Sequence, residues 1–306
     1  MAKTIYRGDY RAPTHLIDTI RLEFDLNAEE TLVKSTLEVR PNPECTEKDP
    51  PLFLNGEDIS LRSVSLDGRE LKDGEYKVEG SGLTIPGIKS AQKLEIVNTF
   101  SPRANTALSG IYASGVNLMS QCEAQGFRRI TFFEDRPDVL ARYTIVIRGS
   151  TEDFPVMLSN GNLTEDRMLE DGRREVTYVD PFPKPCYLFA LVAGKLVSRA
   201  SKFSLKDGRT VDLSVWVDPQ DLDKTEHTLE SLKRAIRWDE ERWGLELDLN
   251  DFKIVATNDF NFGAMENKGL NIFNSRCALA NPKVATTCAL RASSATNTST
   301  TGRATA

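Results

Sequence analysis

Residues 20–39, IRLEFDLNAEETLVKSTLEV, decide the fold. In Ile20 to Asn27 the apolar residues Ile20, Leu22, Phe24 and Leu26 alternate with Arg21, Glu23, Asp25 and Asn27. Period two places one set on each face of a strand, so this stretch reads as half-buried β. Thr31 to Val39 alternates in the same way through Val33 and Leu37, and the polar turn Ala28-Glu29-Glu30 makes the pair a hairpin. Working outward, Asp67-Gly68, Asp73-Gly74, Asp171-Gly172 and Asp207-Gly208 are tight-turn dipeptides between strand-like runs. Arg142 to Arg148 (RYTIVIR) and Val211 to Val217 (VDLSVWV) are further strands, and no fixed-period repeat is present.

The 306 residues suit two domains. The character of the chain changes near residue 195. After Asp218-Pro219, Asp221 or Asp223 is placed to cap a helix running to about Trp243, with Leu229, Leu232, Ile236 and Trp243 on one face. Gly244 is the expected stop. A buried-looking strand, Phe252 to Ala256 (FKIVA), follows, and helix then strand predicts a mixed α/β domain beginning near Gly194.

Composition excludes several classes. There are 39 Lys plus Arg against 45 Asp plus Glu, a net charge of −6, which offers no electrostatic reason to bind nucleic acid or an anionic membrane. The first residues, MAKTIYRGDYRAPTHLIDT, lack the apolar core of a signal peptide, and no apolar run approaches the length of a membrane span. Cys45, Cys122, Cys186, Cys277 and Cys288 are far apart and lack metal-ligand spacing, which reads as reduced thiols in a cytoplasmic protein. Nothing in the sequence fixes the oligomeric state.

The segment 258–275, NDFNFGAMENKGLNIFNS, carries the chemistry. Glycine lets a backbone approach a ligand or take positive φ. A carboxylate beside such a backbone holds an ammonium by charge-assisted hydrogen bonds, strengthened where a cleft limits screening. An enzyme acting at peptide N-termini needs that device to fix the first peptide bond at a set distance. On spacing alone, a glycine turn with a solvated Glu266 explains the same residues.

The run Gly263-Ala264-Met265-Glu266-Asn267, followed by Lys-Gly-Leu-Asn-Ile-Phe-Asn-Ser, resembles the exopeptidase motif of the aminopeptidase N family, zinc alanyl aminopeptidases of gluzincin type. Upstream, IYASGVNLMSQCEAQG (111–126) and FRRITFFEDRPDVLARY (127–143) are similar to the family segment that reaches into the active site, as are PVMLSNGN (155–162) and DPFPKPCYLFALVAG (180–194). The resemblance covers residues 1 to about 282 and is of the bacterial type. It implies a mainly β, sandwich or saddle-like domain over 1–194 and the truncated start of an α/β thermolysin-like domain over 195–282. It further implies that Gln121 and Glu123 line the first-residue pocket and that Glu123 and Glu266 contact the substrate amine, so peptide N-termini are the expected partners. Many relatives carry Met just before the motif. Phe262 stands there in this chain, bulkier and stiffer, and predicts a smaller or less adaptable pocket.

The family hydrolyses peptides with zinc held by a His-Glu-x-x-His pair and a later Glu. Here the two histidines, His15 and His227, lie far apart and neither begins that motif, so no metal ligands are assigned and no zinc is expected to bind. After Glu266 there is no further Asp or Glu, and the Ala/Ser/Thr-rich tail TCALRASSATNTSTTGRATA (287–306) is expected to be disordered. Joining the third base of each codon in 292–306 to the first two of the next allows a consistent shifted reading, V-I-G-H-E-Y-F-H-N-W-T-G-N-R. That contains the family's zinc motif, and the expectation is a frameshift near Thr286 with an out-of-frame tail over 283–306.

The expectation is therefore a zinc aminopeptidase truncated before its zinc site and inactive alone. The alternatives are a non-catalytic module gripping peptide N-termini through Glu123 and Glu266, and a β-rich interaction protein in which the motif is incidental. Without further helices, Leu270 to Phe273 (LNIF) is expected to keep an uncovered apolar face, leaving the region beyond 194 less stable than 1–194.

Overall fold

The computed structural model describes residues 6–279. The tail 283–306, with its proposed change of frame, lies outside the described residues. The opening hairpin forms as His15–Asp25 and Thr31–Pro41, and Asn27 Oδ1 accepts the turn amide of Glu29 at 2.8 Å. Leu22, Phe24, Val33 and Leu37 are fully buried, each stabilising the fold by roughly 1.5–3 kcal/mol. The hairpin sits inside an eight-stranded sheet. Its order is Asn162–Met168, Arg174–Pro185, Leu140–Gly149, His15–Asp25, Thr31–Pro41, Gln92–Phe100, Ser60–Leu66 and Arg69–Glu70. His15–Asp25 pairs parallel with Leu140–Gly149, with Thr19 opposite Arg142. All four Asp-Gly glycines (Gly68, Gly74, Gly172 and Gly208) have positive φ, the geometry their turns demand.

Two small sheets complete this part: Leu52–Asn55, Gly82–Ile85 and Lys77–Glu79, and the four-stranded Val156–Ser159, Leu191–Gly194, Asn117–Gln121 and Gly110–Ser114. Between the layers Phe127 packs edge-on against Phe133, Tyr143 and Phe189, a geometry that adds to the burial of each ring.

A five-stranded sheet follows, ordered Val197–Ser204, Thr210–Val217, Asp251–Thr257, Leu270–Asn274 and Ala264–Met265. The helix Glu226–Arg242 lies on one face, burying Leu229, Leu232 and Ile236 against Phe252, Ile254 and Phe273. Two details of the helix differ from the sequence reading. Its N-cap is Thr225, because Asp218-Pro219 first opens a short 3-10 turn, Pro219–Lys224, that takes in Asp221 and Asp223. Trp243 is half exposed, since it lies one residue past the last helical turn, where Gly244 takes φ +64° and ends the helix.

The expected uncovered face of Leu270 to Phe273 is corrected: Leu270, Ile272 and Phe273 are each 0% exposed. Phe273 packs under the helix, while Leu270 and Ile272 share a core with Tyr112, Met119 and Val192 of the four-stranded sheet and with Leu188 just before its strand Leu191–Gly194. The second sheet is therefore covered on both faces, and on one of them by the first part of the chain. No helix among the described residues is long and apolar enough to cross a membrane.

Candidate functional site

Two segments meet where the four-stranded and five-stranded sheets pack. The first is the hairpin Gly110–Ser114 and Asn117–Gln121, with Gln121 opposite Gly110; Glu123 follows two residues after its end. Here Gln121 is buried, and its Nε2 donates to the Glu123 carbonyl at 3.2 Å. Its Oε1 is buried without a partner among the described residues and so remains an available acceptor. Glu123 is exposed, and the peptide bond Glu123–Ala124 is cis.

The second segment is the glycine motif. Ala264 and Met265 form a two-residue edge strand opposite Phe273 and Ile272, and Asn274 N donates to the Gly263 carbonyl at 3.0 Å. Met265 is buried in the core shared by the two sheets, and Asn267 is buried with neither amide atom partnered among the described residues. Ala264 and Glu266 are half-buried. Phe262 is half exposed and rests edge-on against the buried Phe260. The conformation of Gly263 does not itself require glycine. Its φ is not positive, and an added Cβ would meet only Cys277 Sγ at an ordinary 3.5 Å. What the glycine leaves is bare backbone at an exposed position, open to close approach.

Glu123 and Glu266 are 143 positions apart in the chain, yet the fold brings the charge of one to bear on the other. Partial desolvation and then the Glu266 carboxylate hold the Glu123 carboxyl above the ordinary carboxylate range. Neither carboxylate is ion-paired among the described residues. Tyr187, which the sequence reading missed, belongs with them: burial and then the charges of Glu123 and Glu266 raise its hydroxyl. No motif marks Tyr187; the only signal was its place within the segment 180–194. Two unpaired carboxylates that feel each other's charge repel, and a cation between them relieves that repulsion.

The described residues do not fit zinc. Among them no group of three or more His, Cys, Asp or Glu is arranged to hold a metal ion. His15 is buried, with Nε2 3.3 Å from the Ile88 carbonyl, in the first part of the chain. His227 lies on the helix Glu226–Arg242 in the second. Burial lowers the His15 imidazole below its usual range, as in a packed core histidine.

Comparison with known proteins bears on the family and the fold. Residues 7–188 match the family model of the peptidase M1 N-terminal domain, and residues 227–296 that of the peptidase family M1 domain. Aminopeptidase N of Caulobacter vibrioides is 50% identical over 279 residues, covering 91% of this chain and 32% of the relative. Aminopeptidase N of Escherichia coli is 49% identical over 281 residues, covering 92% and 32%. The crystal structure of Legionella pneumophila aminopeptidase A in complex with aspartic acid superposes with a TM-score of 0.89 at 32% identity, over 95% of this chain and 35% of that one. The chain thus spans 32% of the length of these two curated relatives. A mainly β domain with the beginning of a peptidase domain packed against it, matched by these models over most of its length, belongs to the peptidase M1 family.

Proposed function

We propose that this chain carries the amine-recognising part of a zinc aminopeptidase, in which Glu123 and Glu266 grip the α-ammonium of a peptide, and that these 306 residues by themselves do not hydrolyse it. The observation that carries the reading is the pair of unpaired carboxylates close enough to feel each other: partial desolvation and then Glu266 raise the Glu123 carboxyl, and burial and then both charges raise the Tyr187 hydroxyl. A peptide amine between them would be held by two charge-assisted hydrogen bonds. Bare backbone at Gly263 and the free acceptor Gln121 Oε1 would meet the first residue, with the half-exposed Phe262 ring on its apolar side. Peptidase activity in aminopeptidase N relatives supports peptides as the ligand class. In full-length relatives zinc would supply the activated water; the described part of this chain offers it no ligands.

Calorimetry with trialanine and its N-acetyl form tests the grip. Only the free amine should bind, and Glu266→Ala should weaken it by about ten- to a hundredfold, the loss of a charge-assisted contact. Equal binding of both peptides would defeat the reading. Protonating Glu123 removes half of the opposing charge, so affinity should fall as pH drops through its raised titration. Hydrolysis of leucyl or alanyl anilides with added zinc tests inactivity: no turnover is expected, and chelator-sensitive turnover would overturn it. Coding DNA without a shifted His-Glu-x-x-His would sink the proposed change of frame.

A further inference from the structure

The segment bearing Glu266 is tied to the first part of the chain on both sides. Ahead of it, the Asp259 carboxylate accepts from Ser114 Oγ at 2.7 Å, and the Asp259 carbonyl accepts from the Tyr112 hydroxyl at 3.1 Å. Behind it, the Lys268 carbonyl accepts from Asn160 Nδ2 at 2.8 Å. Asn160 is 0% exposed, and both polar atoms of its carboxamide are hydrogen-bonded. Nδ2 donates also to the Leu188 carbonyl at 3.0 Å, and Oδ1 accepts from Ala190 N at 2.7 Å. One side chain thus binds the backbone on both sides of Phe189, next to Tyr187, to the backbone two residues beyond Glu266. Ser114 lies on the strand whose partner leads to Glu123.

We propose that Asn160 is a positioning residue of this site, its carboxamide and the Ser114–Asp259 bond together setting the separation of Glu123 and Glu266. Like-charged groups with no ion partner push their segments apart. The sheet itself holds the Glu266 side through only two residue pairs, Ala264 with Phe273 and Met265 with Ile272. Hydrogen bonds at both ends of the segment, buried at Asn160 and partly buried at Ser114–Asp259, oppose that push, and a carboxamide bonded through both its nitrogen and its oxygen has little freedom to turn. The role in peptide recognition rests on the amine-grip reading; the separation itself does not, and it is measurable without peptide.

The test follows the Glu123 side-chain carboxyl by carbon NMR across pH in the full chain, with Glu123→Gln for assignment. Glu266→Gln removes the neighbouring charge and should lower the Glu123 midpoint. Asn160→Ala should lower it in the same direction and weaken trialanine about fivefold, the loss of one net hydrogen bond. A purely structural Asn160 would lower the melting temperature and leave the midpoint in place, which would overturn the proposal. Because Asn160→Ala leaves buried backbone groups unpaired and risks misfolding, Ser114→Ala at the other end is the second variant, with the same direction expected and a static midpoint again counting against it. If the midpoint moves but trialanine does not bind the parent chain, the positioning stands and the amine grip falls. Binding with an immovable midpoint has the reverse meaning.

Discussion

The eight-stranded sheet and the five-stranded sheet are buried in different company. The core around Leu22, Phe24, Ile145 and Phe189 is drawn wholly from residues up to Ala193. The five-stranded sheet covers one face with its own helix, but the other, through Val255, Leu270 and Ile272, against Tyr112, Met119 and Leu188. One part supplies its own cover and the other borrows half of it. A site built on the shared face therefore exists only while both parts are docked.

The largest effects should expose this asymmetry. Phe189→Ala removes a ring from the first core and should cost about 3–5 kcal/mol, unfolding both parts together. Ile272→Ala should cost about 2–5 kcal/mol and release the second part first. All three tryptophans, Trp216, Trp238 and Trp243, lie beyond residue 194, so their fluorescence in urea reports the second part while circular dichroism reports the whole. Coincident transitions in Ile272→Ala would break the comparison.

Next in size is a pH effect confined to the first part. Burial pushes the Glu134 carboxyl up from 4.5 to about 7; Arg136, 3.9 Å away, offsets only part of this. A carboxyl raised on folding leaves stability complete below its unfolded value and erodes it as pH rises through the folded one. Titration of this one group should therefore cost the protein up to about 3 kcal/mol as the solution is taken from acid to somewhat above neutral, a loss of about 1.4 kcal/mol for every pH unit crossed. Glu134→Gln should flatten that slope in urea titrations at pH 5 and pH 8; an unchanged slope would refute the assignment.

The smallest effects separate two glycines of the site segment. Gly269 has φ +72°, and an added Cβ would lie 2.6 Å from Leu249 Cδ1, so Gly269→Ala should destabilise by more than about 1 kcal/mol. Gly263→Ala meets neither obstacle and should stay within about 0.5 kcal/mol of the parent, while weakening free-amine peptides. A stability loss at Gly263 equal to that at Gly269 would remove the argument that its bareness serves a ligand.

The fold was legible wherever one face is wet. Ile20, Leu22 and Phe24, and Leu229, Leu232 and Ile236, announce their periods because solvent-facing neighbours interrupt them. Leu270 to Phe273 is buried on both faces, so the pattern carried no sign of what covers the second, and the cover comes from residues far upstream. Thr225 was missed as a cap because its hydroxyl makes no capping bond; it donates instead to the Leu222 carbonyl at 2.6 Å. In the site, Glu123 and Glu266 were reached through a resemblance, since a lone carboxylate in a loop has no period. Tyr187 and Asn160 matter through contacts between parts, which local sequence does not encode.

The parallel pairing of His15–Asp25 with Leu140–Gly149 has a consequence for synthesis. Of the described strands, the one translated earliest occupies an interior place in the eight-stranded sheet, yet the neighbour on one side is translated more than a hundred residues later. Until then the nascent hairpin carries an open edge and an uncovered apolar face, and closure waits on a long loop. The order in which the ribosome delivers these strands is not the order in which they stand, and in the interval between the two that open edge and apolar face are exposed to aggregation.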